Sequence, residues 1–220
     1  TNNAKSQANV ICIIIGLRKV MTRPKLIYGI DTIQKVSNIS PYLIRGNNII
    51  VKPKSKPISD IPIMSFGNKA ADGGFLMLNE EERSFFVKEY PSSRELIKNI
   101  LGSKEFFNGL KKWCFWIEES QIKLAESIPP LRERFESVQN MRNNSSKLAT
   151  RKLAAFPYRF AETRYNGKEA IIVPRVSSER RKYLVCGYVG SDTVISDRAQ
   201  VIYNAPLWIL SMLLSKMHMN

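Results

Sequence analysis

The sequence predicts an α/β chain in two parts: a strand-rich stretch over residues 1–52, then a mixed α+β domain over residues 53–220. Three observations predict it. The Ile/Val density of Asn9–Leu17, "NVICIIIGL", suits a strand buried on both faces. Two prolines and three lysines within Lys52–Pro57, "KPKSKP", exclude a helix or central strand there and mark a linker. After it, cap-and-acid pairs that start helices alternate with short apolar runs.

The elements follow in order. "KLIYGI" and "NIIVK" read as strands joined by polar loops. Gly67, Gly73 and Gly74 punctuate two short apolar runs, as a loop between strands would. Asn79 with Glu82, and Ser92 with Glu95, open two helices, and Gly102 reads as the stop of the second. "KKWCFWI" reads as a strand. Leu131, Phe135, Val138 and Met141 recur at helical spacing, with the helix beginning at the Ile128–Leu131 run "IPPL". Ser145 or Ser146 would cap a short basic helix ending before Pro157. "YRFAETRY", the turn Asn166–Gly167 and "KEAIIV" predict a hairpin. "KYLVCGYV", "QVIYNA" and a terminal helix "PLWILSMLLSKM" complete the chain.

The charge balance is lopsided. There are 34 Lys+Arg against 19 Asp+Glu among 220 residues, a net charge of +15, and such a chain meets a polyanion: nucleic acid or an anionic membrane face. Asn79–Leu131 is close to neutral, with eight Lys/Arg and nine Asp/Glu, whereas Arg132–Lys182 holds thirteen against five. That concentration is the expected footprint on a phosphate backbone. Neither apolar run reaches the roughly 20 residues of a membrane span. Cys12, Cys114 and Cys186 are isolated, so no zinc site or disulfide framework is predicted, and a reducing cytoplasm fits. A chain that begins without Met, directly before an apolar strand, reads as a piece of a longer protein.

The chemistry missing from the sequence narrows the function. The single histidine, His218, leaves no basis for histidine nuclease or serine–histidine chemistry, and no G-x-x-x-x-G-K offers a nucleotide site. "DGG", Asp72–Gly74, is a turn. What remains is basic and hydroxylic. Arg175, Ser177, Ser178, Arg180, Arg181 and Lys182 follow a predicted strand and could reach phosphate oxygens; the alternative is a solvated loop in which Glu179 pairs with one of the arginines. Lys147, Arg151 and Lys152 on the short basic helix extend the candidate phosphate contacts. The polar insert Ser196–Gln200, "SDRAQ", carries Asp197, Arg198 and Gln200, whose geometries match cytosine, guanine and adenine edges, and Arg164 on the predicted hairpin joins them as a base reader. A plain surface turn is the competing reading of that insert. Tyr158, Phe160, Tyr165 and Tyr183 are better placed for a core than for stacking on bases.

Several ordered runs resemble one family. "IPIMSFGNKAADGGFLML", "GSKEFFNGLKKWCFWI", "PRVSSERRKYL" and "SKMHM" resemble the target recognition domain of the MmeI-like restriction–modification enzymes. The upstream "NVICIIIGL … SPYLIRGNNIIVKPKSKPI" resembles the exit of their methyltransferase domain. The resemblance implies that residues 1–52 are the C-terminal strands of a methyltransferase sheet and residues 53–220 a DNA target recognition domain. It further implies a parent adenine-specific DNA methyltransferase that uses S-adenosylmethionine, with double-stranded DNA and the upstream methyltransferase domain of the same polypeptide as partners. Neither the Gly-rich cofactor loop nor the N-P-P-[YF] motif is in this chain, so no cofactor and no catalytic residue is expected here. The alternative is a stand-alone nucleic-acid-binding module, although no helix-turn-helix or aromatic-rich RNA-binding motif is visible.

Overall fold

A computed structural model describes residues 13–54, 56–178 and 181–216. The chain divides at position 55 into two compact units. In the first, β1 (Lys25–Tyr28) and β2 (Ile33–Val36) form an antiparallel hairpin, Lys25 opposite Val36. A Gly29–Thr32 turn closes it, the Gly29 N–H donating to the Thr32 carbonyl at 2.8 Å. Asn38 organises the loop beyond: its amide donates to the Gly46 carbonyl and to Asn48 Oδ1, and its oxygen accepts from Lys25 Nζ.

The two flanking strands expected in this unit do not form. Ile13–Leu17 and residues 48–52 carry no strand and are exposed, Ile14 at 98%. A strand buried on both faces needs neighbours to fill its backbone hydrogen bonds, and among the described residues neither run has one. Residues 9–12 of the first run lie outside the described residues. Lys52–Pro57 has neither helix nor strand among its described residues, as its prolines require.

The second unit holds two four-stranded sheets. Its elements are β3 (Ser65–Phe66), β4 (Met77–Leu78), α1 (Glu80–Glu89), β5 (Ile97–Leu101), α2 (Ser103–Asn108), β6 (Trp113–Phe115), α3 (Ile122–Glu126), α4 (Pro129–Asn143), α5 (Leu148–Lys152), β7 (Ala170–Pro174), β8 (Gly187–Val189), β9 (Thr193–Ile195), β10 (Ala199–Tyr203) and α6 (Leu207–Leu213). One sheet runs β3-β10-β7-β8 and is antiparallel throughout; the other runs β4-β6-β5-β9, with β5 and β9 parallel. The chain passes from the second sheet to the first through the Ser196–Arg198 turn between β9 and β10. The main core packs Leu76, Phe86, Leu96, Phe115, Leu131, Phe135 and Val138 between the second sheet and helices α1 and α4. Phe86 meets Phe115 edge-on at 4.9 Å, and each such fully buried side chain contributes roughly 1.5–3 kcal/mol.

Local signals explain several elements. Asn79 caps α1 in a complete capping box, its side chain accepting from Glu82 N–H while Glu82 accepts from Asn79 N–H. Pro129 starts α4, where its missing N–H is no loss. Asp72–Gly74 is a turn, with Gly73 and Gly74 at positive φ.

Other expectations are corrected. Ser92–Glu95 begins no α-helix: Pro91–Leu96 forms a 3-10 turn and the chain then enters β5. Pairing with β6 and β9 on both sides overrides the cap-like pattern. Gly102 therefore starts α2 rather than ending a helix, its N–H donating to Glu105. The predicted Tyr158–Val173 hairpin is also absent, because both edges of β7 are taken by β8 and β10. Residues 161–165 run beside Lys69 and Asn68 instead. Neither Ser145 nor Ser146 caps α5; Lys147 does, and Ser145 Oγ accepts from the Lys147 N–H one step earlier. "KYLVCGYV" contributes strand only at Gly187–Val189.

Candidate nucleic-acid interface

The Ser196–Arg198 turn is a tight one, the Ala199 N–H donating to the Ser196 carbonyl at 3.0 Å. It is braced from several directions. Gly67 lies so close beneath it that a Cβ there would fall 2.2 Å from the Ser196 carbonyl oxygen, so only glycine fits. Gly102 approaches from the other sheet; a Cβ would fall 2.8 Å from Ser196 Oγ and 3.2 Å from Arg198 Cβ. Ser103 Oγ donates to the Arg198 carbonyl at 2.6 Å, and Arg175 Nη1 to the Asp197 carbonyl at 3.3 Å. Arg175 also stacks over Phe66 at 4.7 Å.

Asn68 ties the neighbouring segment to this turn. It is buried, and its side-chain amide donates to the Ile195 carbonyl and to Tyr203 Oη. Its Oδ1 accepts from the Arg164 and Tyr165 N–H groups, and its carbonyl accepts from Asp197 N–H. Every polar atom of Asn68 is thereby used, which a buried amide requires. Burial raises the Tyr203 pKa, although the Asn68 hydrogen bond opposes it.

The four candidate base readers gather on this frame. Arg198 is exposed, and among the described residues its guanidinium has no hydrogen-bond or ion-pair partner. Asp197 is half-buried beside it. Gln200 lies in β10, opposite Phe66 and Val173. Arg164 is engaged internally, donating to the Gly67 carbonyl at 3.0 Å and pairing with Glu162 at 2.7 Å.

The candidate phosphate contacts separate. Arg175 and Ser177 follow the end of β7 and are exposed; Ser178 accepts from the Arg181 N–H through its carbonyl. Arg181 stacks on Phe107 of α2 at 4.2 Å, with one guanidinium nitrogen buried and unbonded. Lys182 is exposed. Arg180, and Glu179 with the ion pair expected of it, lie outside the described residues. Lys147 and Lys152 are exposed at the two ends of α5, which packs against α4, whereas Arg151 donates to the Ser145 and Ser146 carbonyls. Phe160 is buried and Tyr158 and Tyr165 pack on the core, while Tyr183 is exposed.

Sequence reasoning missed two buried polar residues, one that positions this site and one that holds the domain behind it. Asn68 carries no local signal, since its partners lie 96 to 135 residues away. Arg142 could have been found: it continues the Leu131, Phe135, Val138 stripe of α4 to the next buried position. It is fully buried and donates to five carbonyls, those of Ala70, Ala71, Leu153, Phe156 and Arg159. Burial lowers its pKa, partly offset by nearby Asp72. Cys114 is buried in the core, where burial first and Asp72 second push its thiol pKa far up; a thiol so protonated is no nucleophile. Among the described residues no cluster of ligands could hold a metal ion, and no helix is long and apolar enough to cross a membrane.

The chain is similar to known proteins. DNA methyltransferase A of Bacillus subtilis (strain 168) is 40% identical over 219 residues, covering 99% of this chain and 25% of that protein. The solved structure of the Type IIL restriction-modification enzyme MmeI in complex with DNA superposes with a TM-score of 0.78 at 31% identity, covering 89% of this chain and 27% of the other. The chain thus spans about a quarter of the length of these relatives. Residues 45–220 match the family described as the MmeI target recognition domain, and the chain belongs to that family.

Proposed function

We propose that this chain is the sequence-reading part of a larger adenine-specific DNA methyltransferase of restriction–modification type. It docks on duplex DNA so that a catalytic domain of the same polypeptide can extrude one adenine and methylate it from S-adenosylmethionine. Residues 1–52 belong to the end of that methyltransferase domain, where Ile13–Leu17 would find the sheet neighbours it lacks here. Residues 53–220 read the target. The cofactor and the catalytic groups reside elsewhere in the parent enzyme, which works in the cytoplasm, and this chain alone is inactive.

The observation that carries the reading is the braced turn with an uncommitted arginine at its tip. A loop that merely connects β9 to β10 has no use for support from Gly67, Asn68, Gly102, Ser103 and Arg175 at once. A loop that must place a guanidinium against one base edge does, because bidentate recognition tolerates little displacement. Arg198 donates to a guanine edge, Asp197 accepts from a cytosine amine, and Gln200 and Arg164 complete the reading set. Arg175, Ser177, Ser178, Arg180, Arg181, Lys182, Lys147, Arg151 and Lys152 take the backbone side, through phosphate contacts that position without specifying.

The test is Arg198→Ala in the parent enzyme, followed by sequencing of methylated genomic DNA. A bidentate contact discriminates by roughly 1–3 kcal/mol against the wrong base, so one position of the methylated site should relax while the others stay fixed. An unchanged site at full activity would reduce the loop to a surface turn.

A further inference from the structure

We infer that the cleft over Trp113 is a second DNA-backbone surface, gripping phosphates beside the bases read from the Ser196–Arg198 turn; this rests on the DNA-docking reading above. The cleft lies in the part of the chain whose charges cancel in the sequence. Two adjoining hollows share Arg83, Asn99 and Trp113; one adds Arg94 and Lys98, the other Lys111 and Lys112. Five of the eight cations between residues 79 and 131 therefore line one cleft. Arg83 is fixed there, its guanidinium 4.9 Å from the Trp113 ring centroid.

Two acids line this cleft, and neither forms an ion pair with its cations among the described residues. Asp192 accepts from Asn99 Nδ2 at 3.2 Å and from Thr193 Oγ1 at 3.1 Å. Glu80 also lines the cleft, yet among the described residues none of the five cations comes within 4.0 Å of a carboxylate. Arg83, Lys98 and Lys112 are half-buried. Five cations against two carboxylates leave the cleft net positive, and an entering anion offsets that excess.

The parallel β5–β9 ladder says which anion. Asn99 pairs with Thr193 at the cleft, Leu101 pairs with Ile195 two residues on, and the Leu101 carbonyl accepts from Ser196 N–H, where the reading turn begins. Two residues of parallel strand span about 7 Å. A major groove is roughly 12 Å wide, so a turn reading its floor has a phosphate wall within that reach. A separate acidic protein segment would match the charge but not this continuity.

Duplex affinity of the full-length enzyme, measured across a salt series, tests the inference. The variants are Lys98→Gln, the pair Lys111→Gln with Lys112→Gln, and, as a control, Lys123→Gln on the exposed side of α3. Each lost phosphate contact should shrink the slope of log affinity against log salt by about 0.9. We expect such a drop for Lys98→Gln, up to twice that for the pair, and none for Lys123→Gln. Lys98→Arg keeps the charge and should restore the slope, which a folding defect would not. Cleft variants that match the parent slope, or a control that falls equally, would overturn the inference. If the unaltered enzyme binds its site steeply in salt while the cleft variants match it, the cleft alone fails; if the unaltered enzyme binds no DNA, the docking reading itself has failed.

Discussion

Residues 79–131 are nearly neutral in sequence and residues 132–182 strongly basic, yet their cations are deployed the other way round. In the basic stretch the arginines are largely spent inside the fold. Arg142 serves five carbonyls, Arg134 serves the Phe75 and Met77 carbonyls and pairs with Glu82, and Arg151 serves two carbonyls at the start of α5. Arg164 and Arg175 each donate to a backbone carbonyl around the Ser196–Arg198 turn. In the neutral stretch Arg83, Arg94, Lys98, Lys111 and Lys112 have no ion-pair partner among the described residues. A guanidinium bonded to carbonyls keeps its charge, but each donor so engaged is one fewer for a phosphate. Charge counted along a sequence therefore locates an electrostatic footprint only after each cation's hydrogen bonds have been assigned.

The sharpest way to break this contrast is Arg142→Ala. Five buried carbonyls would lose a charged donor at once, and removing one partner of a buried charged network costs about 3–5 kcal/mol. Urea denaturation should show that loss, and in any variant that still folds the salt dependence of DNA binding should be unchanged. A stability loss below ~1 kcal/mol would mean that Arg142 is not the hub its contacts describe.

A smaller effect is expected where the open cations need a rigid frame. Gly67→Ala places a methyl against the Ser196 and Ile195 carbonyl oxygens, at 2.2 and 2.5 Å before relaxation. Backbone atoms must shift, and overpacking of this kind costs roughly 1–3 kcal/mol. The melting temperature should fall, and methylation should spread to near-cognate sites because Arg198 is displaced. A stable variant with unaltered specificity would show that the turn does not depend on this brace.

What could be read from the sequence was what local chemistry controls. The Asn79–Glu82 capping box, the start of α4 at Pro129, its Leu131–Phe135–Val138 face and the Asp72–Gly74 turn depend on residues within one or two turns of each other. The β5 strand was hidden because Ser92 and Glu95 imitate a cap, and only its pairing with β6 and β9 reveals the sheet. The Asn166–Gly167 turn misled in the same way, since distant β10 holds the edge of β7 that the hairpin would have used. At the candidate site, residue types in "SDRAQ" pointed to the turn, while its bracing by Gly67, Asn68 and Ser103 comes from 95 to 132 positions away and leaves no local pattern.

The gentlest test lies on the spent side of the comparison, at the Arg134–Glu82 pair. Burial pushes the Glu82 carboxyl up, but the hydrogen bond from Asn79 N–H and the bonded charge of Arg134 outweigh it, and the net shift is downward. A carboxyl lowered on folding binds fewer protons in the native state than in the unfolded one between the two pKa values. Its contribution is therefore complete above the ordinary Glu value near 4.5 and is lost as pH falls through the lower, folded value. Glu82→Gln separates charge from geometry, because glutamine at this position still accepts from the Asn79 N–H in the capping box. With the Glu82 side chain 37% exposed, solvent screens the pair, and the variant should lose less than ~1 kcal/mol at neutral pH. The urea midpoints of the two proteins should then converge as the medium is acidified below the ordinary Glu range. A gap of constant size from neutral to acid pH would place the stabilisation in packing, leaving Arg134 held by the Phe75 and Met77 carbonyls alone.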